Sequence, residues 1–151
     1  MKKILLIITL LVPFIVKGIS TSATSTILMD TDNNRIIYSK NIHEVRSVAS
    51  ISKIMTAVLA IESGKLDDEV KINSSINKAY GSAIYIKIGE KMKLRDLVYG
   101  LMLRSGNDAA LAIADYVGGS VDNFVTMMNH KAKETGMKNT KFNNSSGLDE
   151  D

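Results

Sequence analysis

The sequence predicts an α+β fold in which a short β-hairpin leads into a cluster of helices. Two observations carry this. Thr26-Ile27-Leu28-Met29 and Arg35-Ile36-Ile37-Tyr38 are apolar runs flanking Asp30-Thr31-Asp32-Asn33-Asn34, a stretch of residues that tolerate tight turns and left-handed backbone. Further along, apolar residues recur at helical spacing in four stretches, each closed by glycine or by a polar loop. At 151 residues a single domain is the prior.

The elements follow in order. Ser39 to Ser47 is a polar loop. A helix is predicted from about Ser50 to Ser63, with Ile51, Ile54, Met55, Val58, Leu59 and Ile61 forming a face broad enough for a central helix, and Gly64 at its end. Asp67-Asp68-Glu69 reads as a solvated turn and 70–77 as polar and irregular. Ser82 to Ile88 alternates like a short strand or extended segment, turned by Gly89-Glu90-Lys91. Leu94, Leu97, Val98, Leu101 and Met102 mark a second helix, broken at Arg104-Ser105-Gly106-Asn107. Asp108 is expected to cap a third, from Ala109 to Val117, ended by Gly118-Gly119. Ser120 caps a fourth, to about Lys133, with Val121, Phe124, Val125 and Met128 inward, closed by Thr135-Gly136. A loop from Phe142 to Asp149 follows.

Composition narrows the chemistry. There is no Cys, which excludes disulfides, thiolate metal sites and a cysteine nucleophile, and two His residues, His43 and His130, make a histidine metal cluster improbable. No metal or cofactor is implied. With no Trp and 5% aromatics, the core must be aliphatic and Met-rich. Residues 1–23 read as an export signal: Lys2 and Lys3 precede an apolar run from Ile4 to Val16, and small residues up to Ala23 offer a cleavage site. The run is short for a membrane span, which needs about 20 residues; an uncleaved anchor is the alternative. Either way the body, 24–151, is expected outside the cytoplasmic membrane. The signal segment is the only membrane contact expected. It also holds the excess of positive charge, since the remainder carries as many basic as acidic residues. The net charge of +3 is therefore no argument for nucleic-acid binding.

Ser50-Ile51-Ser52-Lys53 carries a specific chemistry. Residues i and i+3 share a helix face, so the Ser50 hydroxyl and the Lys53 amine can meet. A serine hydroxyl needs a base within hydrogen-bond reach, and a lysine of lowered pKa can serve. A helix start also turns backbone N–H groups toward a developing oxyanion. Alone the spacing is weak, because Ser75-Ile76-Asn77-Lys78 has it too, and a capping serine with a solvated lysine is the ordinary reading. Ser105-Gly106-Asn107 is a second feature. Ser39-Lys40-Asn41 and Ser75-Ile76-Asn77 share its spacing, but only the match at 105 lies between two apolar helices, which would hold a short polar loop in place.

Taken together, Ala49 to Ala57, Leu94 to Ala110 and Phe142 to Asp149 resemble the serine D-alanyl-D-alanine carboxypeptidases, the low-molecular-weight penicillin-binding proteins. The middle stretch, Leu-Arg-Asp-Leu-Val-Tyr-Gly-Leu-Met-Leu-Arg-Ser-Gly-Asn-Asp-Ala-Ala, is the most specific. The resemblance implies a β-lactamase/transpeptidase-like fold. It implies Ser50 as the acylated nucleophile, Lys53 as the proton acceptor, Ser105 as a proton relay to the leaving amine, and Asn107 bonded to the lysine and the substrate amide. The implied substrate is a peptidoglycan stem peptide ending in D-Ala-D-Ala, and β-lactams would acylate the same serine.

Two departures accompany it. Relatives carry a Lys-Thr-Gly strand after the Phe-x-Asn loop. Glu134-Thr135-Gly136 is not that motif, so the 151 residues are expected to be the N-terminal part of such a domain, lacking its later sheet strands. Ser146 stands where many relatives have His. The competing readings are an inactive fragment, a non-catalytic muropeptide-binding envelope protein and a class A β-lactamase.

Overall fold

The computed structural model describes residues 18–148. The basic and apolar part of the predicted export signal, and Asp149, lie outside the described residues. The chain divides into two compact units, residues 1–44 and 45–151.

The first unit is the predicted hairpin. Strand β1 (Thr26–Asp30) pairs antiparallel with β2 (Arg35–Lys40), Thr26 opposite Lys40 and Asp30 opposite Arg35, with a register irregularity between Leu28 and Met29. The turn is built by its own side chains. Asp30 Oδ1 accepts from the Asp32 amide, Asn33 Nδ2 donates to Asp30 Oδ2, and Asn33 Oδ1 accepts from the Arg35 amide. Asn34 takes the left-handed backbone such a turn demands, at φ 56°. At the end of β2, Lys40 Nζ and the next residue's Asn41 Nδ2 donate to the carbonyls of Ala23 and Thr24, tying down the segment that leads into β1.

The second unit is a helical cluster with a small sheet. A 3₁₀ turn (Ala49–Ser52) runs into helix α1 (Lys53–Glu62). Strand β3 (Glu69–Lys71) pairs antiparallel with β4 (Lys91–Lys93), which leads directly into α2 (Leu94–Arg104). Helices α3 (Asn107–Gly118) and α4 (Val121–Glu134) follow. Helix α3 packs against each of α1, α2 and α4. Its alanines at 109, 110, 112 and 114 are buried, and so small a surface lets three neighbours approach one helix. Leu94, Leu97, Leu101, Phe124 and Met128 fill the space around it and meet its own Ile113. Ser120 accepts from the Asn123 amide, the expected cap of α4.

Four expectations need correction. The helix predicted from Ser50 begins as an α-helix only at Lys53, because Ser50 lies in the preceding 3₁₀ turn. The stretch 70–77 is not irregular: it holds part of β3 and a 3₁₀ turn (Ser74–Lys78) capped by Asn73, and Val70 and Ile72 are buried. The Asp67-Asp68-Glu69 run is used rather than merely solvated, since Arg95 donates to Asp67, Tyr116 to Asp68 and Lys91 to Glu69. Asp108 is not the N-cap of α3: the helix starts at Asn107 after Gly106, and the Asp108 side chain, besides accepting from the Ala109 amide in the first turn, accepts from the Ile84 and Ile86 amides. In addition, α1 is packed on one side only. Met55, Leu59 and Ala60 are buried, whereas Ile54 and Ile61, like Ile51 in the turn before the helix, are more than half exposed.

Candidate active site

The site is assembled from the 3₁₀ turn, the first turn of α1, the α2–α3 junction and the loop after α4. In a 3₁₀ turn residues i and i+3 eclipse, which places Ser50 under Lys53 more directly than an α-helix would. Lys53 Nζ donates to Ser50 Oγ at 3.1 Å and to the Ser146 carbonyl at 2.9 Å. Ser105 Oγ donates to the same Ser50 Oγ at 3.1 Å. Three residues predicted from two separate stretches thus converge on one oxygen. Ser105 can reach it because the chain reverses there: it takes left-handed backbone at φ 55°, ending α2 one residue before Gly106 opens α3.

Lys53 is the one buried lysine among the described residues, with 3% of its surface exposed, and no ion pair among them includes it. Burial holds its amine below the ordinary lysine value. The other Ser-x-x-Lys match contrasts with it. Ser75 and Lys78 lie in the second 3₁₀ turn, where the Ser75 hydroxyl is buried without a partner and Lys78 is exposed.

Asn107 is 3% exposed. Its Nδ2 donates to the Tyr80 carbonyl at 2.5 Å, and its Oδ1 is buried without a partner. Its amide N–H donates to the Ser82 carbonyl at 2.7 Å. The residue is thus held from the 80–82 segment, not from Lys53.

The loop after α4 supplies parts that the sequence reading did not single out. Thr56 Oγ1, one turn along α1 from Lys53, donates to the buried Ser145 carbonyl at 2.7 Å. Asn129 of α4 pairs with both backbone groups of Phe142 at 2.8 Å. Asn144 Oδ1 accepts from the amides of Ser146 and Gly147, which folds the loop on itself. Gly147 has φ +74°, and a Cβ there would drive into the Ala49 carbonyl and the Ser52 hydroxyl. The loop is therefore pressed against the nucleophile turn. Because Lys53 uses the carbonyl of Ser146 and not its side chain, serine in place of histidine leaves that contact intact. Asn129, Asn144 and Gly147 were visible as turn and polar residues, but nothing local told which side chain they serve. Among the described residues no cluster of three His, Asp or Glu could hold a metal ion.

Comparison with known proteins gives a consistent result. A family model described as D-alanyl-D-alanine carboxypeptidase matches residues 13–151. The chain is 40% identical over 134 residues to D-alanyl-D-alanine carboxypeptidase DacF of Bacillus subtilis, covering 85% of this chain and 34% of the relative. It is 36% identical over 149 residues to DacD of Escherichia coli, covering 91% of this chain and 38% of the relative. Among solved structures, the carboxypeptidase DacD of Francisella tularensis superimposes with a TM-score of 0.82 at 37% identity, over 92% of this chain and 35% of that one. Penicillin-binding protein 6B of Escherichia coli does so at 0.81 and 35% identity, over 91% and 47%. The fold is accordingly the N-terminal portion of the penicillin-binding, transpeptidase-like fold, and the chain spans about a third of the length of the curated relatives it matches. Three motif residues meeting at one hydroxyl, on a fold shared at this identity, leave one assignment: the chain belongs to the D-alanyl-D-alanine carboxypeptidase family.

Proposed function

We propose that this chain is part of an exported serine D-alanyl-D-alanine carboxypeptidase that trims stem peptides of the cell wall and is acylated by β-lactams. Residues 1–23 are its export signal and 24–151 belong to its catalytic domain. The observation that carries the reading is the position of Ser50 Oγ, 3.1 Å from both the buried Lys53 amine and the Ser105 hydroxyl.

The reaction follows from these positions. An amine whose pKa burial has lowered is neutral in a larger fraction of molecules, and its lone pair can accept the Ser50 proton along the Nζ–Oγ line. Ser50 Oγ then bonds to the carbonyl carbon of the penultimate D-Ala. As the C–N bond breaks, the Ser105 hydroxyl passes a proton to the leaving amine and is reprotonated from Lys53. D-Ala departs, and water cleaves the Ser50 ester. The Lys53 bond to the Ser146 carbonyl holds the amine in place while the proton is exchanged. Asn107, whose side chain is anchored through the Tyr80 carbonyl, is the substrate-binding residue of this site. In the competing readings, a muropeptide-binding or inactive chain, the Ser50 hydroxyl is never acylated.

The test is covalent labelling of the purified chain with a fluorescent penicillin, with Ser50→Ala as the control and circular dichroism to verify folding. Labelling that disappears in Ser50→Ala is the expected result. A folded chain that takes no label overturns the catalytic reading for this chain. N-terminal sequencing of the exported protein tests the cleavage after Ala23.

A further inference from the structure

We propose that Asp108 is a positioning residue for the Ser50 reaction, fastening the 82–88 segment as a fixed wall beside Ser105. The proposal rests on the Ser50 reading above and extends it to a residue that touches neither the nucleophile nor its base.

Asp108 is 4% exposed, and no ion pair among the described residues includes it. A buried carboxylate is costly unless its lone pairs are filled, and here the backbone fills them. Oδ1 accepts from the Ala109 amide at 2.9 Å and from the Ile84 amide at 3.0 Å, and Oδ2 accepts from the Ile86 amide at 3.2 Å. Residues 83–87 have no regular secondary structure and join no strand ladder among the described residues. The Asp108 side chain therefore takes two N–H groups that no strand ladder takes up.

The residue before it works on the same segment, since Asn107 holds the Tyr80 and Ser82 carbonyls. Two consecutive residues, starting two positions after Ser105, thus grip one stretch of chain at four points. The side chain of Ile84 completes the attachment. It packs so closely over Gly100 and Gly106 that a Cβ on either would stand 2.6 and 3.2 Å from it. Between the two clamped amides lies Tyr85, 81% exposed and with left-handed backbone at φ +62°. A bulky residue holds that conformation only where its surroundings over-determine it. The grip on both flanking amides does so, and its location next to the Ser105–Asn107 loop ties that fixed shape to the site.

The experiment compares Asp108→Asn and Asp108→Ala with the wild-type chain. Asn keeps one acceptor oxygen but turns an NH₂ group toward one of the donors; Ala removes both acceptors. Amide hydrogen exchange is read at Ile84 and Ile86, and penicillin acylation of Ser50 is followed as a function of ligand concentration. Loss of protection at the two amides is expected, with α4 unchanged. The half-saturating ligand concentration should rise between about tenfold and a hundredfold, the scale on which a misplaced binding surface acts, and more in Ala than in Asn. The rate at saturation should stay within about twofold, because Ser50, Lys53 and Ser105 keep their mutual contacts. Unchanged exchange at Ile84 and Ile86 overturns the proposal. So does lost protection with unaltered acylation, which would make the clamp merely structural, and so does global unfolding of both variants. A wild-type chain that is well protected at the two amides but takes no label overturns the Ser50 reading first, and this proposal with it.

Discussion

Thr56 Oγ1 donates to the Ser145 carbonyl at 2.7 Å, and both residues are fully buried. This bond and the one from Lys53 to the Ser146 carbonyl are consecutive fastenings of one loop on one face of α1. The first therefore holds the acceptor of the second in place. Thr56→Val keeps the shape and removes the hydroxyl. The Ser145 carbonyl is then buried without this donor, a change that costs about 1–3 kcal/mol. Denaturant unfolding should register that loss. Penicillin labelling of Ser50 should slow as the loop loosens around Lys53, and Thr56→Ser should restore most of both. Full stability in Thr56→Val would mean that water replaces the hydroxyl.

The lowered pKa of Lys53 fixes the sign of two pH effects. The neutral amine is the proton acceptor, so acylation of Ser50 should rise with pH and level off above an apparent pKa that lies below the ordinary value of 10.5. Stopped-time labelling across pH measures it. Stability moves the same way. The unfolded chain keeps the Lys53 proton up to the ordinary value while the folded chain releases it earlier, so the unfolded state binds more protons in that window. Folding stability gains from this group as pH rises through the lowered pKa toward 10.5, and gains nothing beyond. Lys53→Arg cannot deprotonate, and labelling should fall by about 10²–10⁴-fold. A pH profile that rises nowhere below the ordinary lysine value of 10.5 would remove Lys53 from the role of base.

The exposed side of α1 makes a prediction about solubility. Ile54 and Ile61, one helical face apart from the buried Met55 and Leu59, are 53% and 54% exposed. Exposed apolar patches on a helix favour association. Ile54→Ser with Ile61→Ser should lower the light scattering of the purified chain at high concentration. The unfolding midpoint should hardly move, because little buried surface is lost. A large drop in that midpoint would show that this face is covered in solution.

Much of this was legible in the sequence, and the exceptions have physical causes. The hairpin, the four helices and the polar break at 105 follow from local pattern, since alternation and 3.6-residue periodicity are properties of neighbouring residues. Ser50, Lys53 and Ser105 could be picked out, and the structure brings them together. Three things lie outside local pattern. Strand β3 is only three residues long, and its pairing with β4 depends on a partner about twenty positions away. The role of Asp108 depends on Ile84 and Ile86, and in sequence it looks like an ordinary helix cap. The inward reading of Ile51, Ile54 and Ile61 assumed that an apolar helix face is covered, whereas periodicity reports only that the face is apolar.

Gly147 and Gly136 separate two costs that a glycine substitution usually mixes. Both have left-handed backbone, at φ +74° and +78°. A Cβ on Gly136 would meet nothing within 4 Å, whereas one on Gly147 would collide with the Ala49 carbonyl and approach Ser52 Oγ. Gly136→Ala should therefore show the backbone penalty alone, about 1–2 kcal/mol, with Ser50 labelling unchanged. Gly147→Ala carries the same penalty and must also move either the 142–148 loop or the turn that holds Ser50. Its stability loss should exceed that of Gly136→Ala, and its labelling should fall steeply even where circular dichroism finds the helices intact. The difference between the two variants, in unfolding free energy and in labelling rate, isolates what close packing of the loop on the nucleophile turn contributes. Equal behaviour in both assays would mean that the loop can lift away from Ala49 without disturbing Ser50, and the contact between them would then play no part in setting the geometry of the site.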